Sequence, residues 1–144
     1  MHAVHRDLAN GYELDDGRDR IDLEAVHGYL SGAYWALGRT REIQAEMNAK
    51  ASRLVGLYAS GSQVGFTRTA IVPGMAVACL YDVYVLETHR GRGLGTELVR
   101  ETVERGPFVT YRWLLDTRDA HRLYAKFGFG PPGERLMERP RRDG

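Results

Sequence analysis

Cysteine is scarce in this sequence, with one residue among 144. A single thiol excludes an intramolecular disulfide and a zinc site built from several thiolates, so no disulfide and no metal are expected. Cys79 lies within the apolar run MAVACLY, residues 75–81. Unpaired cysteines are among the most buried residue types, and this run predicts a buried structural thiol rather than a nucleophile.

Long apolar runs and an excess of one charge are also missing. No stretch approaches the roughly 20 apolar residues that cross a bilayer, and the amino-terminal residues lack the apolar segment of a secretion signal. Lys and Arg total 20 against 19 Asp and Glu, a formal net charge of +1. Such a balance gives no general attraction to nucleic acid or to an anionic membrane. We therefore expect a cytoplasmic protein with neither as a partner.

The length predicts one domain over residues 1–144, with a core of about 10–140 and a frayed tail at 140–144, because a chain of this size buries a single core. A strand is predicted within GYELDDGRDRID, residues 11–22, followed by a helix with Asp22 as its N-cap. A second helix is predicted from Thr40 to about residue 51, with Ile43 and Met47 on its buried side.

The pattern then changes to short β-type stretches separated by glycine. RLVGLYAS and VGFTRTAIV, residues 53–60 and 64–72, predict an antiparallel hairpin. The run VACLYDVYVLE, residues 77–87, predicts a central strand covered on both faces. The helix that follows is expected to end at Gly106, with Glu101 on its solvent side.

FVTYRWLL, residues 108–115, is predicted as the next strand. Together with the strand at 77–87 and the helix between them, it would form a right-handed crossover in which the two strands are parallel. Asp119 is expected to cap a last helix at 120–127, which Gly128 would close. A final strand within ERLMER, residues 134–139, would lie at the far edge of the sheet.

The stretch THRGRGLGTEL, residues 88–98, places glycine at alternating positions just before a helix. Glycine inside an element costs about 0.5–1 kcal/mol, so this pattern needs a reason such as the close approach of a ligand. Backbone amides at a helix start bind phosphates, and Arg90 and Arg92 could add charge. Thr96 stands where a dinucleotide-binding motif needs glycine, and no Gly-Lys-Ser/Thr sequence occurs. The alternative is a surface turn with solvated arginines.

Two linked motifs carry a family resemblance. DVYVLETHRGRGLGTELV, residues 82–99, resembles the pyrophosphate-binding motif of the GNAT superfamily of acyl-coenzyme A-dependent N-acyltransferases, and DAHRLYAKFGF, residues 119–129, resembles its second signature. AYWALGR, residues 33–39, is similar to a group of small bacterial members. The resemblance implies an α/β domain whose mixed sheet has about six or seven strands and about four helices. This sheet would splay between a strand at 79–87 and a strand at 108–115.

The resemblance also implies acetyl-CoA as co-substrate and a set of site residues. Tyr124 would donate a proton to the leaving thiolate, although a packing role beside Leu123 and Phe127 is the alternative. Coenzyme contacts would come from the main chain of the central strand and from the glycine loop: Val83, Tyr84 and Val85, then Arg90, Gly91, Arg92, Gly93, Leu94, Gly95 and Thr96.

The amine must lose a proton before it attacks, and carboxylates are candidates to accept it. Asp82 is the first candidate and Asp116 the second; His121 is a weaker candidate for a role. Strand alternation places Asp82 opposite Val83 and Val85, and a structural partner such as Arg112 is the alternative to catalysis. Tyr34, Trp35 and Arg39 would line the acceptor side, unless they only pack the sheet edge.

The sequence departs from the family pattern where many members carry an asparagine before the last helix, because Arg118 and Asp119 stand there. We expect acetyl transfer to a primary amine of a small molecule by direct attack in a ternary complex. Transfer to a protein or peptide amine and a non-catalytic acyl-CoA-binding module are the alternatives. A homodimer is left open, as are the acceptor's identity and the acyl-chain preference.

Overall fold

A computed structural model describes residues 4–142 of the chain. Four α-helices and six strands occur within this part. The strands are β1 (His5–Asp7), β2 (Tyr12–Asp15), β3 (Arg53–Ala59), β4 (Ser62–Val72), β5 (Val77–Val85) and β6 (Arg112–Leu114). The helices are α1 (Leu23–Leu30), α2 (Arg41–Lys50), α3 (Leu94–Glu104) and α4 (His121–Ala125).

All six strands form one sheet in the order of the sequence, from β1 to β6. Neighbours from β1 to β5 are antiparallel, and β5 pairs with β6 in parallel. The predicted mixed sheet, the β3–β4 hairpin and the parallel final pair are confirmed. β1 was not expected, since its three residues carry no apolar alternation. No helix within residues 4–142 has both the length and the apolar character needed to cross a membrane.

Helices cover both faces of the sheet. Leu94 and Leu98 of α3 pack in one buried cluster with Leu57 of β3. Val26 and Leu30 of α1 pack in another, against the opposite face of the sheet. β3 and β4 are buried on both faces. β5 was predicted to be covered on both faces, but one of its faces is half-buried and Tyr81 on it is exposed.

The predicted helix starts are confirmed at two positions. Asp22 Oδ1 accepts from the Ala25 amide at 3.1 Å, and Thr40 Oγ1 accepts from the Ile43 amide at 3.1 Å. Each side chain satisfies a donor that the first helical turn leaves without a partner. Both α1 and α2 therefore begin at a residue whose side chain caps the helix.

The buried side of α2 was predicted wrongly. Ile43 is 47% exposed, whereas Gln44 and Asn48 are buried. Gln44 Nε2 donates to Asn48 Oδ1 at 2.8 Å, and Gln44 Oε1 accepts from Arg39 at 2.9 Å. These hydrogen bonds make a polar face fit for burial, which the count of apolar residues misses.

Glu101 was also placed wrongly on the solvent side of α3. The residue is 2% exposed. Its carboxylate accepts from Arg53 at 3.2 Å and from Arg6 at 3.0 Å. A charged residue inside a helix is buried when cations from distant strands reach it, and helical spacing alone does not reveal them.

Three predictions for the last third of the chain need correction. Only residues 112–114 of the predicted strand at 108–115 pair, because residues 107–110 form a turn. Residues 134–139 form no strand and are exposed. The helix α4 begins at His121 without an Asp119 cap; instead Thr117 Oγ1 accepts from the Ala120 amide at 3.1 Å.

The end of α4 follows the prediction, although the helix stops at Ala125. Gly128 has φ +85°, and the Phe129 amide donates to the Tyr124 carbonyl at 3.3 Å. The frayed tail was predicted for residues 140–144, of which 143–144 lie outside the described residues. Residues 140–142 are exposed and have no regular structure.

Candidate active site

A cavity of about 1520 Å³ opens where the sheet splays. β5 and β6 pair only through Val77–Arg112, Ala78–Trp113 and Cys79–Leu114. Beyond Cys79 the two strands separate, and residues 80–85 of β5 line the cavity. The predicted splay between these strands is thus confirmed, and it leaves one edge of β5 open to a ligand.

A bulge re-aims the side chains of β5 at this place. Phe66 lies opposite Tyr84 and Arg68 opposite Tyr81, so two residues of β5 face the single residue between them on β4. Asp82 occupies the bulge with φ +57°, a conformation that aspartate tolerates better than most residues. The extra residue breaks the alternation, which explains why the face of Asp82 could not be derived from the sequence.

The glycine loop leads from β5 into α3. Gly91 and Gly93 have φ of +79° and +74°, the left-handed region that glycine adopts without strain. Among residues 4–142, the amides of residues 91–96 donate no hydrogen bond to a main-chain carbonyl. Open amides at the start of an eleven-residue helix are suited to bind an anion.

Arg90 braces this loop. Its Nε donates to the Val85 carbonyl at 2.9 Å and its Nη2 donates to the Tyr29 hydroxyl at 2.9 Å. These two contacts tie the loop to β5 and α1. Arg92 is exposed and does not line the cavity. An anion bound at this loop would therefore contact main-chain amides rather than the Arg92 side chain.

Tyr124 lies on α4 and lines the same cavity. The residue is 8% exposed, and the Phe129 ring packs edge-on at 5.8 Å between ring centroids. Burial raises the pKa of Tyr124 to about 12. A phenol with this pKa carries its proton at neutral pH, as a proton donor requires. Tyr124 therefore packs against its neighbours, which was the alternative role, and it also lines the cavity.

Asp82 accepts hydrogen bonds from three side chains that line the cavity. Its Oδ2 accepts from Arg39 Nη1 at 2.8 Å and from Arg68 Nε at 2.9 Å, while its Oδ1 accepts from Trp35 Nε1 at 3.1 Å. Burial raises the pKa of Asp82, but the two arginines outweigh burial and the net pKa lies below its ordinary value. A carboxylate with a lowered pKa is a poor proton acceptor. The structural partner considered from the sequence was Arg112, but the observed partners are Arg39, Arg68 and Trp35.

Two loops meet across the cavity. The backbone amide of Arg118, after β6, donates to the Tyr34 hydroxyl at 3.1 Å, and the Arg118 guanidinium lies 3.8 Å from the Tyr34 ring centroid. The Trp35 ring packs edge-on against Tyr34 at 5.1 Å. Both aromatic residues are about 40% exposed, at 41% and 40%. The segment between α1 and α2 therefore forms a roof over part of the cavity.

The model of the acetyltransferase (GNAT) family matches residues 17–129. The chain belongs to this family. Among solved structures, a protein from Xanthomonas campestris pv. campestris assigned to the GNAT family is 31% identical. The match covers 90% of this chain and 92% of that one, with a TM-score of 0.81. No curated protein sequence matches the chain.

More distant structures share the GNAT fold. A protein of unknown function from Staphylococcus aureus is 20% identical, with a TM-score of 0.73, over 92% of this chain and 99% of that one. A ribosomal-protein-alanine N-acetyltransferase from Brucella melitensis is 17% identical, with a TM-score of 0.64, over 90% and 99%. At these identities the likeness establishes the fold alone.

The GNAT fold brings most of the predicted site residues to one cavity. The predicted residues that line it are Tyr34, Trp35, Arg39, Asp82, Val83, Tyr84, Val85, Arg90, Gly91, Gly93, Leu94, Gly95, Thr96, Asp116 and Tyr124. Arg92 and His121 are not among the lining residues. Their roles in this GNAT protein stay predictions. Cys79 is half-buried in β5 rather than deep in the core, since its strand lies next to the short β6.

Several lining residues were not predicted from the sequence, and two of them contact other site residues. Arg68 lies in β4 and Tyr29 in α1, and both contribute to the cavity. Arg68 is the one charged residue within the strand sequence VGFTRTAIV, and it is buried. A lone charge in an otherwise apolar strand was the available signal, because such a residue is rarely buried without a partner.

Proposed function

We propose that this protein transfers an acetyl group from acetyl-CoA to a primary amine of a small molecule. One observation carries the proposal: the open edge of β5, the open amides of the glycine loop and the Tyr124 side chain line a single cavity. Family membership supports acyl transfer. The donor, the amine and its size are the added parts of the proposal.

The residues present fit coenzyme A. Gly91 and Gly93 have no heavy atom within 4 Å of where a Cβ would lie, so their main chain is open to a ligand. Amides of residues 91–96 would donate to the pyrophosphate oxygens, with the positive end of the α3 dipole behind them. Val83, Tyr84 and Val85 lie on the part of the β5 edge that β6 does not pair with, and this edge would take the pantetheine arm in the manner of an added strand.

Bound acetyl-CoA supplies an activated thioester carbonyl, at which a C–N bond forms as the C–S bond breaks. A main-chain amide near Val85 is suited to stabilise the negative charge that develops on the carbonyl oxygen, an effect worth about 3 kcal/mol. Tyr124 would donate its phenolic proton to the sulfur as the C–S bond breaks, because the phenol still carries this proton at neutral pH. These groups are fixed by the fold before any ligand binds.

An amine with a pKa near 10 is mostly protonated at pH 7, and forming its free base costs about 4 kcal/mol. We assign acceptance of this proton to Asp116 through water, because Asp116 is exposed and lines the cavity. Asp82 is better suited to positioning than to proton acceptance. Its three hydrogen bonds instead fix Arg39, Arg68 and Trp35 at the acceptor end.

The Tyr34–Arg118 contact supports a small acceptor. Two loops that touch across a cavity narrow it, whereas a polypeptide substrate needs an open groove. The distant likeness to a ribosomal-protein-alanine N-acetyltransferase does not decide the matter, because the same fold serves different acceptors.

The test is release of the coenzyme A thiol from acetyl-CoA, measured with matched panels of small amines and of peptides with free amino termini. We expect turnover with one or more small amines and little with the peptides. Preference for peptides would contradict the small-molecule assignment. Tight binding of coenzyme A without turnover of either panel would contradict the enzymatic proposal and favour a binding module.

A further inference from the structure

The acceptor end of the cavity carries an excess of positive charge at low exposure. Arg39 and Arg68 share one carboxylate, that of Asp82, at 2.8 and 2.9 Å. Their side chains are 14% and 9% exposed, and that of Asp82 is 1% exposed. Within residues 4–142, neither arginine forms an ion pair with a second carboxylate. Two cations thus face one anion where water is partly excluded.

The two arginines also keep unused donors. Arg68 uses Nε for Asp82, and among the described residues its two Nη groups have no acceptor. Neither Nη is among the fully buried polar atoms that lack a partner, so both are accessible to solvent, and Arg68 lines the cavity. Arg39 donates through Nη1 to Asp82 and Gln44. The terminal edge of a guanidinium is the fork that holds a carboxylate with two parallel hydrogen bonds.

The surroundings hold the Arg68 fork in position. The Arg68 guanidinium lies 4.7 Å from the ring centroid of Tyr81, which stacks beneath it, and Nε is fixed on Asp82. Tyr81 and Met47 also line the cavity. A cation fixed on two sides loses little entropy when it binds a third group, and this favours recognition over simple solvation.

From these contacts we propose that the acceptor is an amino acid or a similar amine that carries a carboxylate, which binds to Arg68 with support from Arg39. The inference rests on the proposed acetyl transfer and names its substrate class. An acceptor of this kind neutralises the excess charge, while polyamines and other amines with additional positive charge are repelled. The assignment also gives a role to Asp82, which holds both arginines in place without accepting a proton.

The experiment compares matched acceptors: an amino acid, its carboxamide and the corresponding decarboxylated amine. We expect kcat/KM for the amino acid to exceed that for the carboxamide by at least about tenfold, since hydrogen bonds between charged groups are among the strong ones. In Arg68→Gln this ratio should fall towards one. Arg68→Lys keeps the charge without the fork and should give an intermediate ratio. Arg41→Gln is the control, because Arg41 is 49% exposed on its side chain and pairs with Glu24 away from the cavity.

Equal kcat/KM for the amino acid and its carboxamide would overturn this inference and leave acetyl transfer intact. If coenzyme A binds and no amine is turned over, the melting temperature in its presence decides. A rise with amino acids but not carboxamides, lost in Arg68→Gln, supports the carboxylate site, and no difference overturns it. Failure of coenzyme A to bind, together with no turnover, would overturn both proposals.

Discussion

Two buried arginines of this protein differ in how completely they are used. Arg53, between β3 and α3, donates from all three of its nitrogen atoms: to Asp16, to the Glu101 carboxylate and to main-chain carbonyls of α3. Arg68 donates from Nε alone and turns its remaining donors to a cavity. An arginine whose hydrogen bonds are complete serves the fold, whereas one with open donors in a cavity is available to a ligand.

The largest expected effect is on stability and concerns Arg53. Arg53→Gln should lower the free energy of unfolding by about 3–5 kcal/mol, because it leaves the buried Glu101 short of a partner. Arg68→Gln should cost about 1.5 kcal/mol or less, because Asp82 keeps Arg39 and Trp35. Urea unfolding of the two variants measures both. Similar losses of unfolding free energy in the two variants would contradict the distinction between a structural and a binding arginine.

The next effect is catalytic and concerns Tyr124. Tyr124→Phe should lower kcat by about 100-fold, the usual contribution of a positioned acid, without weakening coenzyme A binding. Steady-state kinetics and calorimetry measure the two quantities separately. His121→Ala is the matched control on the same helix, since His121 is exposed and does not line the cavity. An unchanged kcat in Tyr124→Phe would remove the acid assignment.

Two substitutions at the glycine loop should have smaller effects on stability, in opposite directions. Gly93→Ala places a Cβ in a left-handed conformation and should lower stability by about 1–2 kcal/mol. Gly95 lies in the first turn of α3, where a Cβ would meet only Leu123 at 4.0 Å. Gly95→Ala should therefore raise the melting temperature of the free protein, since alanine favours helix.

Coenzyme A makes this contrast sharper. If the ligand approaches the main chain at Gly95, Gly95→Ala should weaken its binding by roughly tenfold while it stabilises the free protein. Calorimetric titration and a thermal melt of the same sample measure both. Unchanged affinity in Gly95→Ala would show that the first turn of α3 does not touch the ligand.

The smallest expected effect is on the pH dependence of stability. Burial raises the pKa of Asp82, but Arg68 and Arg39 lower it by more than burial raises it. The net pKa lies below the unfolded value of 3.8. Its stabilisation is present above pH 3.8 and is lost as the pH falls through the lower, folded pKa. Asp82→Asn should flatten the decline in unfolding free energy below about pH 4. An equally steep decline in this variant would show that the ion cluster does not contribute.

The sequence was most informative where a local rule decides the structure. Asp22 and Thr40 predicted two helix starts because capping needs only the neighbouring amides. The glycine pattern and the resemblance led to the central strand, the loop and α3, and so to the cavity. Tyr124 was found in the same way, from the end of a short motif.

The sequence was least informative where distant residues meet. The burial of Glu101 depends on Arg53, 48 residues away, and Asp82 depends on Arg39, 43 residues away. The bulge at Asp82 reverses the alternation that strand periodicity predicts. Arg68 was overlooked because its partner lies on another strand.

The most direct test is calorimetric titration of the protein with coenzyme A and, separately, with pantetheine, which lacks the pyrophosphate and the adenosine 3′-phosphate attached to it. If the amides of residues 91–96 hold the pyrophosphate, coenzyme A should bind with a Kd below about 1 mM. Its binding should be at least about tenfold tighter than that of pantetheine. Equal affinities would contradict a pyrophosphate site in the glycine loop. No binding of coenzyme A at about 1 mM would contradict the proposed function itself.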